Sequence, residues 1–108
     1  MKMVGLYHIE LLADADEADF DSHMAGDATA GVLQLTRVTS GFDCQLLKRA
    51  GESGGARRYA WHVTAQLVGG GYDFAQNVER LGAAIARFGS VTGVDAYSVM
   101  PGQESVPG

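Results

Sequence analysis

Two histidines and a glutamate occupy positions where strand alternation carries them to one surface. His8 and Glu10 lie in the opening run LYHIELL, and His62 lies in the run RYAWHVTAQLV. An imidazole titrates near neutrality, and a carboxylate beside it fixes its tautomer and raises its basicity, so the set suits general acid–base chemistry. In that reading His62 is the base, Glu10 its orienting partner, and His8 a donor to a developing oxyanion. Thr64 and Gln66 continue the same alternation beyond His62. With Arg37 and Tyr97 from other strands they are the candidates for contacting a substrate. Trp61 falls on the opposite alternation and is expected in the core; it becomes a ring-stacking wall only if substrate enters between helices and sheet. Two histidines and one carboxylate also make a ligand set for Fe(II) or Zn(II). A His-x-Glu pair on one strand is a loose signal, however, and neither a metal nor an organic cofactor is expected. Each histidine taken singly is more often a hydrogen-bonded structural residue. His23 is expected to be a solvated one.

The elements that must position these groups follow from hydrophobic period. Arg58 to Val68 reads as a central strand, with Tyr59, Trp61, Val63, Ala65 and Leu67 on one face and Arg58, Ala60, His62, Thr64 and Gln66 on the other. Val4 to Leu12 is a first strand of the same two-faced kind. Ala13 to about Ala25 predicts a short helix capped by Asp14 or Asp16, with Phe20 and Met24 one turn apart. Val32 to Arg49 is long for one strand, and Ser40–Gly41 is expected to mark a bulge or bend within it. Cys44 alternates into a buried or half-buried place there. Residues 50–56 predict an exposed turn. Gly69-Gly70-Gly71 reads as a strand-to-helix connection, because the Lys-Ser/Thr of a phosphate loop is missing. Asp73 is expected to cap the helix Phe74 to Phe88, whose Phe74, Val78, Leu81, Ile85 and Phe88 recur at helical spacing. Gly89 then serves as its C-cap. Val91 to Met100 is the last strand and Pro101 stops it, so residues 1–100 make one domain and 101–108 a flexible tail.

Composition narrows the classes of function. The chain has 108 residues, a net charge of −5 and a single cysteine. Nucleic-acid binding through a broad basic surface is not expected of such a balance. One cysteine excludes an internal disulfide framework and suits a reducing cytoplasm. The opening run carries charge where a signal peptide is apolar, and no stretch approaches the roughly 18 apolar residues of a membrane span. A cytoplasmic protein with no membrane partner is expected.

The predicted order is strand, helix, strand, strand, helix, strand. Right-handed crossovers then place the first and third strands together in the middle of a four-stranded antiparallel sheet, with both helices on one face. This is an α+β, ferredoxin-like βαββαβ layout. Its helix-free face carries Leu6 and Leu12 among polar groups and needs cover, which a second copy would supply as a homodimer.

With LYHIELL, the bent strand TRVTSGFDCQLLKR, the central YAWHVTAQL and the closing VDAYSVM, residues 3 to 100 resemble the dimeric α/β-barrel superfamily. Its members include polyketide cyclases, cofactor-free monooxygenases, haem-degrading enzymes and stress-responsive barrel proteins. Within it the chain looks similar to the RedY/HapK-like group found with prodiginine and carbazole-type alkaloid pathways. The resemblance implies an active site in the barrel lumen or between helices and sheet, and in many members no metal or cofactor. It points to a cofactor-independent cyclase acting on a small polyketide-like or alkaloid intermediate, with loss of water giving an aromatic ring. Alternatives are a cofactor-free monooxygenase of aromatic polyketides and a non-enzymatic dimeric binding or stress-response module.

Overall fold

The computed structural model describes residues 2–26, 39–50, 57–67, 76–100 and 102–103, with backbone alone at 39–43, 65–67 and 76. Arg37, Gly69 to Gly71, Asp73 and Phe74, the turn over 51–56 and most of the tail from 101 lie outside them. The elements are β1 (Lys2–Leu11), α1 (Glu17–Ala25), β2 (Thr39–Lys48), β3 (Arg58–Leu67), α2 (Gln76–Ile85) and β4 (Gly89–Ser98). The strands form one sheet in the order β2-β3-β1-β4, and every neighbouring pair is antiparallel. The fold is therefore α+β, and the four-stranded antiparallel sheet and two helices of the described residues are compatible with a ferredoxin-like layout.

One face of the sheet holds the core. Tyr7, Ile9 and Leu11 of β1 and Tyr59, Trp61 and Val63 of β3 are buried against Phe20 and Met24 of α1 and Leu81, Ile85 and Phe88 from α2 and its exit turn. Burying each such side chain contributes about 1.5–3 kcal/mol, which is what holds both helices to this side. Trp61 is 1% exposed and packs against Tyr7 with ring centroids 6.0 Å apart. Cys44 is half-buried at the rim of the same core, as its alternation predicts.

Local chemistry ends the elements. Asp16 caps α1, accepting hydrogen bonds from the Ala18 and Asp19 amides at 2.8 and 3.1 Å. The helix therefore starts later than Ala13, because Leu12 to Ala15 form a turn closed by an Ala15 N–H to Leu12 carbonyl bond. Arg57 pins that turn from across the sheet by donating to the carbonyls of Ala15, at 2.7 Å, and Leu12.

Two expectations need correction. His23 is half-buried, not solvated: its Nε2 donates to the Ala84 carbonyl at 2.6 Å, and its ring packs 5.2 Å from that of Phe88. The side chain thus fastens α1 to α2. Gly89 does not act as a helix C-cap with positive φ. It opens β4, where a Cβ would stand 2.2 Å from the Glu10 carbonyl oxygen and 2.9 Å from the Leu11 Cα. Close approach of two backbones, not conformational freedom, demands glycine there. Gly89→Ala should therefore destabilise the protein by about 1–3 kcal/mol or more, the usual cost of overpacking, read as a lower urea midpoint with unchanged slope.

Candidate functional site

The face of the sheet opposite the described helices is laid out in rows across the strands, because paired residues in an antiparallel sheet share a face. From β4 to β2 one row is Ser90, Glu10, Arg58 and Arg49; the Arg49 amide bonds the Arg58 carbonyl at 3.0 Å, extending the pairing one residue past β2. The next row is Gly93, His8, Ala60 and Leu47, and beyond it come Asp95, Leu6, His62 and Gln45. Tyr97, Val4 and Thr64 follow. His8, Glu10, His62 and Thr64 thus do share the face that alternation assigns them, and Tyr97 joins them at 56% exposure. Gln66 pairs in register with Lys2 and Gly41. Trp61 lies on the opposite, core side, so it forms no wall with these groups.

The carboxylate that meets a histidine is Asp95. His8 Nε2 lies 2.7 Å from Asp95 Oδ2, and both side chains are about half-exposed, at 44% and 56%. With Nε2–H donating to the carboxylate, a neutral His8 keeps its lone pair on Nδ1, the arrangement of a general base with a fixed tautomer. Glu10 is not the partner of His62. The two are separated by two rows, four residues of strand or roughly 13 Å, and Glu10 faces Arg58 and Ser90 instead. His62 stands between Leu6 and Gln45, one diagonal step from His8. No group of three or more His, Cys, Asp or Glu placed to hold a metal ion occurs among the described residues.

A bulge delivers Asp95. The β1–β4 register shifts between His8 and Ile9, so that Thr92 is an extra residue between Val91, opposite Ile9, and Gly93, opposite His8. Strict alternation would send Val91 and Val94 to opposite faces. The inserted residue lets both pack against the core and turns Asp95 to the His8 side. The Thr92 hydroxyl bonds the His8 carbonyl at 3.4 Å, across the irregularity. The sequence signal was the apolar pair Val91 and Val94 three residues apart with Gly93 between them.

Beside His8 the face sinks into a cavity of about 590 Å³, bordered by Glu10, Leu47, Arg49, Arg58, Ala60 and Thr92. Gly93 and Ala60 flank His8 in its row, and the short side chain of Ala60 borders the cavity. The arrangement offers a positioned base, apolar floor and cations within one hollow.

Comparison with known proteins adds no identification: no family model, curated protein or solved structure matches this chain.

A second polar cluster lies on the helix side. Glu17 Oε2 accepts from the Tyr59 hydroxyl at 2.6 Å and from Lys48 Nζ at 3.0 Å, and Arg57 stands 3.6 Å from the other oxygen. The Tyr59 hydrogen bond and the Lys48 contact hold the Glu17 carboxyl below its ordinary value of 4.5. Burial, and then the Glu17 hydrogen bond, push the Tyr59 hydroxyl up to about 12. These contacts tie the start of α1 to β2 and β3. A lowered carboxyl contributes stability that is complete above its unfolded-state pKa and is lost as pH falls through the folded one. A raised phenol contributes stability complete below its unfolded-state pKa and lost as pH rises through the folded one. Wild-type stability should thus fall relative to Glu17→Gln below about pH 4.5, and relative to Tyr59→Phe as pH rises toward 12, in denaturation midpoints taken across pH.

Proposed function

We propose that this protein is a homodimeric, cofactor-independent cyclase, in which His8 is the general base and Asp95 the residue that orients it. The observation that supports this reading most is the 2.7 Å His8–Asp95 pair on the face opposite the described helices, next to a cavity large enough for a small organic molecule. His8 Nδ1 takes a proton from the carbon beside a carbonyl. The resulting enolate attacks a second carbonyl of the same molecule, forming the carbon–carbon bond, and the alkoxide oxygen takes a proton back. Loss of water then gives the conjugated or aromatic ring. His62, one diagonal step away, is suited to donate to the developing alkoxide. A polyketide-like or alkaloid intermediate of secondary metabolism is the substrate class this chemistry and the family resemblance suggest.

The second copy enters through the same face. Leu47 is 38% exposed and Tyr97 56%, and Val4 and Leu6 lie half-buried beside them. Pairing two such faces removes apolar surface from water and encloses His8 in a drier lumen, where a proton transfer and an oxyanion are better controlled.

Two measurements test the proposal. The wild-type protein should accelerate aldol closure of a short linear diketone to its cyclohexenone, with His8→Asn losing about 100-fold or more and Asp95→Asn a comparable part. Turnover unchanged in both variants rejects His8 as the base and Asp95 as its orienting partner; oxygen uptake with a phenolic substrate in place of closure turns the reading to a monooxygenase. Sedimentation should give a dimer for wild type and a monomer for Leu6→Glu, and a wild-type monomer rejects the enclosed lumen.

A further inference from the structure

The row of Glu10, Arg58 and Arg49 places two arginines at directly opposed positions on β3 and at the end of β2. Like charges in opposed positions destabilise a sheet, and one carboxylate, Glu10, shares the row. The chain has 13 acidic and 8 basic residues, so two arginines facing each other at the edge of one cavity run against its overall balance. The cavity spans this row and the adjoining one of His8, Ala60 and Leu47. Lys48 also borders it, but its ammonium is bonded to Glu17. Each arginine has a contact of its own within the chain. With five N–H donors in a planar fork, a guanidinium retains capacity for an incoming carboxylate.

We propose that the cavity takes a monoanionic substrate, whose carboxylate is held by Arg58 and Arg49 while its apolar body lies over Ala60 and Leu47. The two rows are two residues apart, about 6–7 Å along a strand. That spacing sets the carboxylate and the carbon facing His8 about one ring apart. Glu10 flanks Arg58 on the β1 side, so the anion approaches from the Arg49 side, and a dianion is disfavoured. The assignment of the reacting carbon rests on the acid–base reading above; the carboxylate site does not.

Calorimetric titration of the full chain with two probes of equal shape, naphthoate and naphthamide, tests this. At low salt naphthoate should bind at least about tenfold more tightly than naphthamide. Arg58→Gln should remove that preference, Arg58→Lys should keep part of it, and added salt should weaken naphthoate alone. Absence of naphthoate binding, equal affinity for the two probes, or a preference that survives in a folded Arg49→Gln/Arg58→Gln variant overturns the proposal. His8→Asn separates the two readings: the naphthoate preference should persist there while ring closure is lost. If closure also persists, the acid–base assignment fails and the anion site stands.

Discussion

The pairing of β1 with β3 is the constraint on which the other features depend. Nine consecutive residue pairs, from Lys2 with Gln66 to Glu10 with Arg58, lock the two central strands together without interruption. Their alternate side chains include the two largest fully buried groups, Trp61 and Tyr7, with Ile9 and Val63 beside them. A slip of β3 by one residue against β1 would turn Trp61 into water and bring His62 into the core, so burial makes this register costly to change. The polar face inherits its precision from that cost. His8 stands opposite Ala60, and Arg58 opposite Glu10, in the register that also pairs Tyr7 with Trp61 on the apolar side.

The edge strands are less regular, and their irregularities shape the site. β4 carries an extra residue at Thr92 and β2 one at Ser40, where the register shifts between Thr39 and Gly41. The second of these agrees with the bend expected at Ser40–Gly41. Both lie in the outer strands of the described sheet, where an unpaired residue disturbs one described ladder instead of two. At Thr92 the consequence reaches chemistry, since the change of phase sets Asp95 against His8. A histidine and carboxylate 87 positions apart in the chain thereby meet through a local defect in pairing.

The described helices act on the site indirectly, by covering the apolar side of the sheet and not the side that carries His8. Their attachments are polar as well as apolar. His23 donates to the Ala84 carbonyl between α1 and α2, and Glu17 gathers Tyr59 and Lys48 at the start of α1. Tyr59 makes both kinds of contact with α1, since its ring meets Phe20 edge-on at 5.2 Å while its hydroxyl reaches Glu17. Such contacts orient α1 over the sheet in a way a smooth apolar surface does not, because a hydrogen bond has direction.

Period and turn chemistry in the sequence alone determined the order of the described elements, the two-faced central strands and most of the described core. Alternation in β1 and β3 assigns His8, Glu10, His62 and Thr64 to one side, and helical spacing assigns Phe20, Met24, Leu81 and Ile85 to the other. Those are short-range properties, set by backbone geometry within a few residues. Which groups on the polar face touch was decided only by tertiary structure. Glu10 shares a face with His62 yet stands two rows away, whereas Asp95 reaches His8 because β4 pairs beside β1 with one residue inserted. The same holds for His23, whose partner is a carbonyl 61 residues distant, and for Gly89, whose need for a bare Cα arises from the backbone of Glu10. Register between strands distant in sequence is a sum of many packing contacts, and no single stretch of chain encodes it.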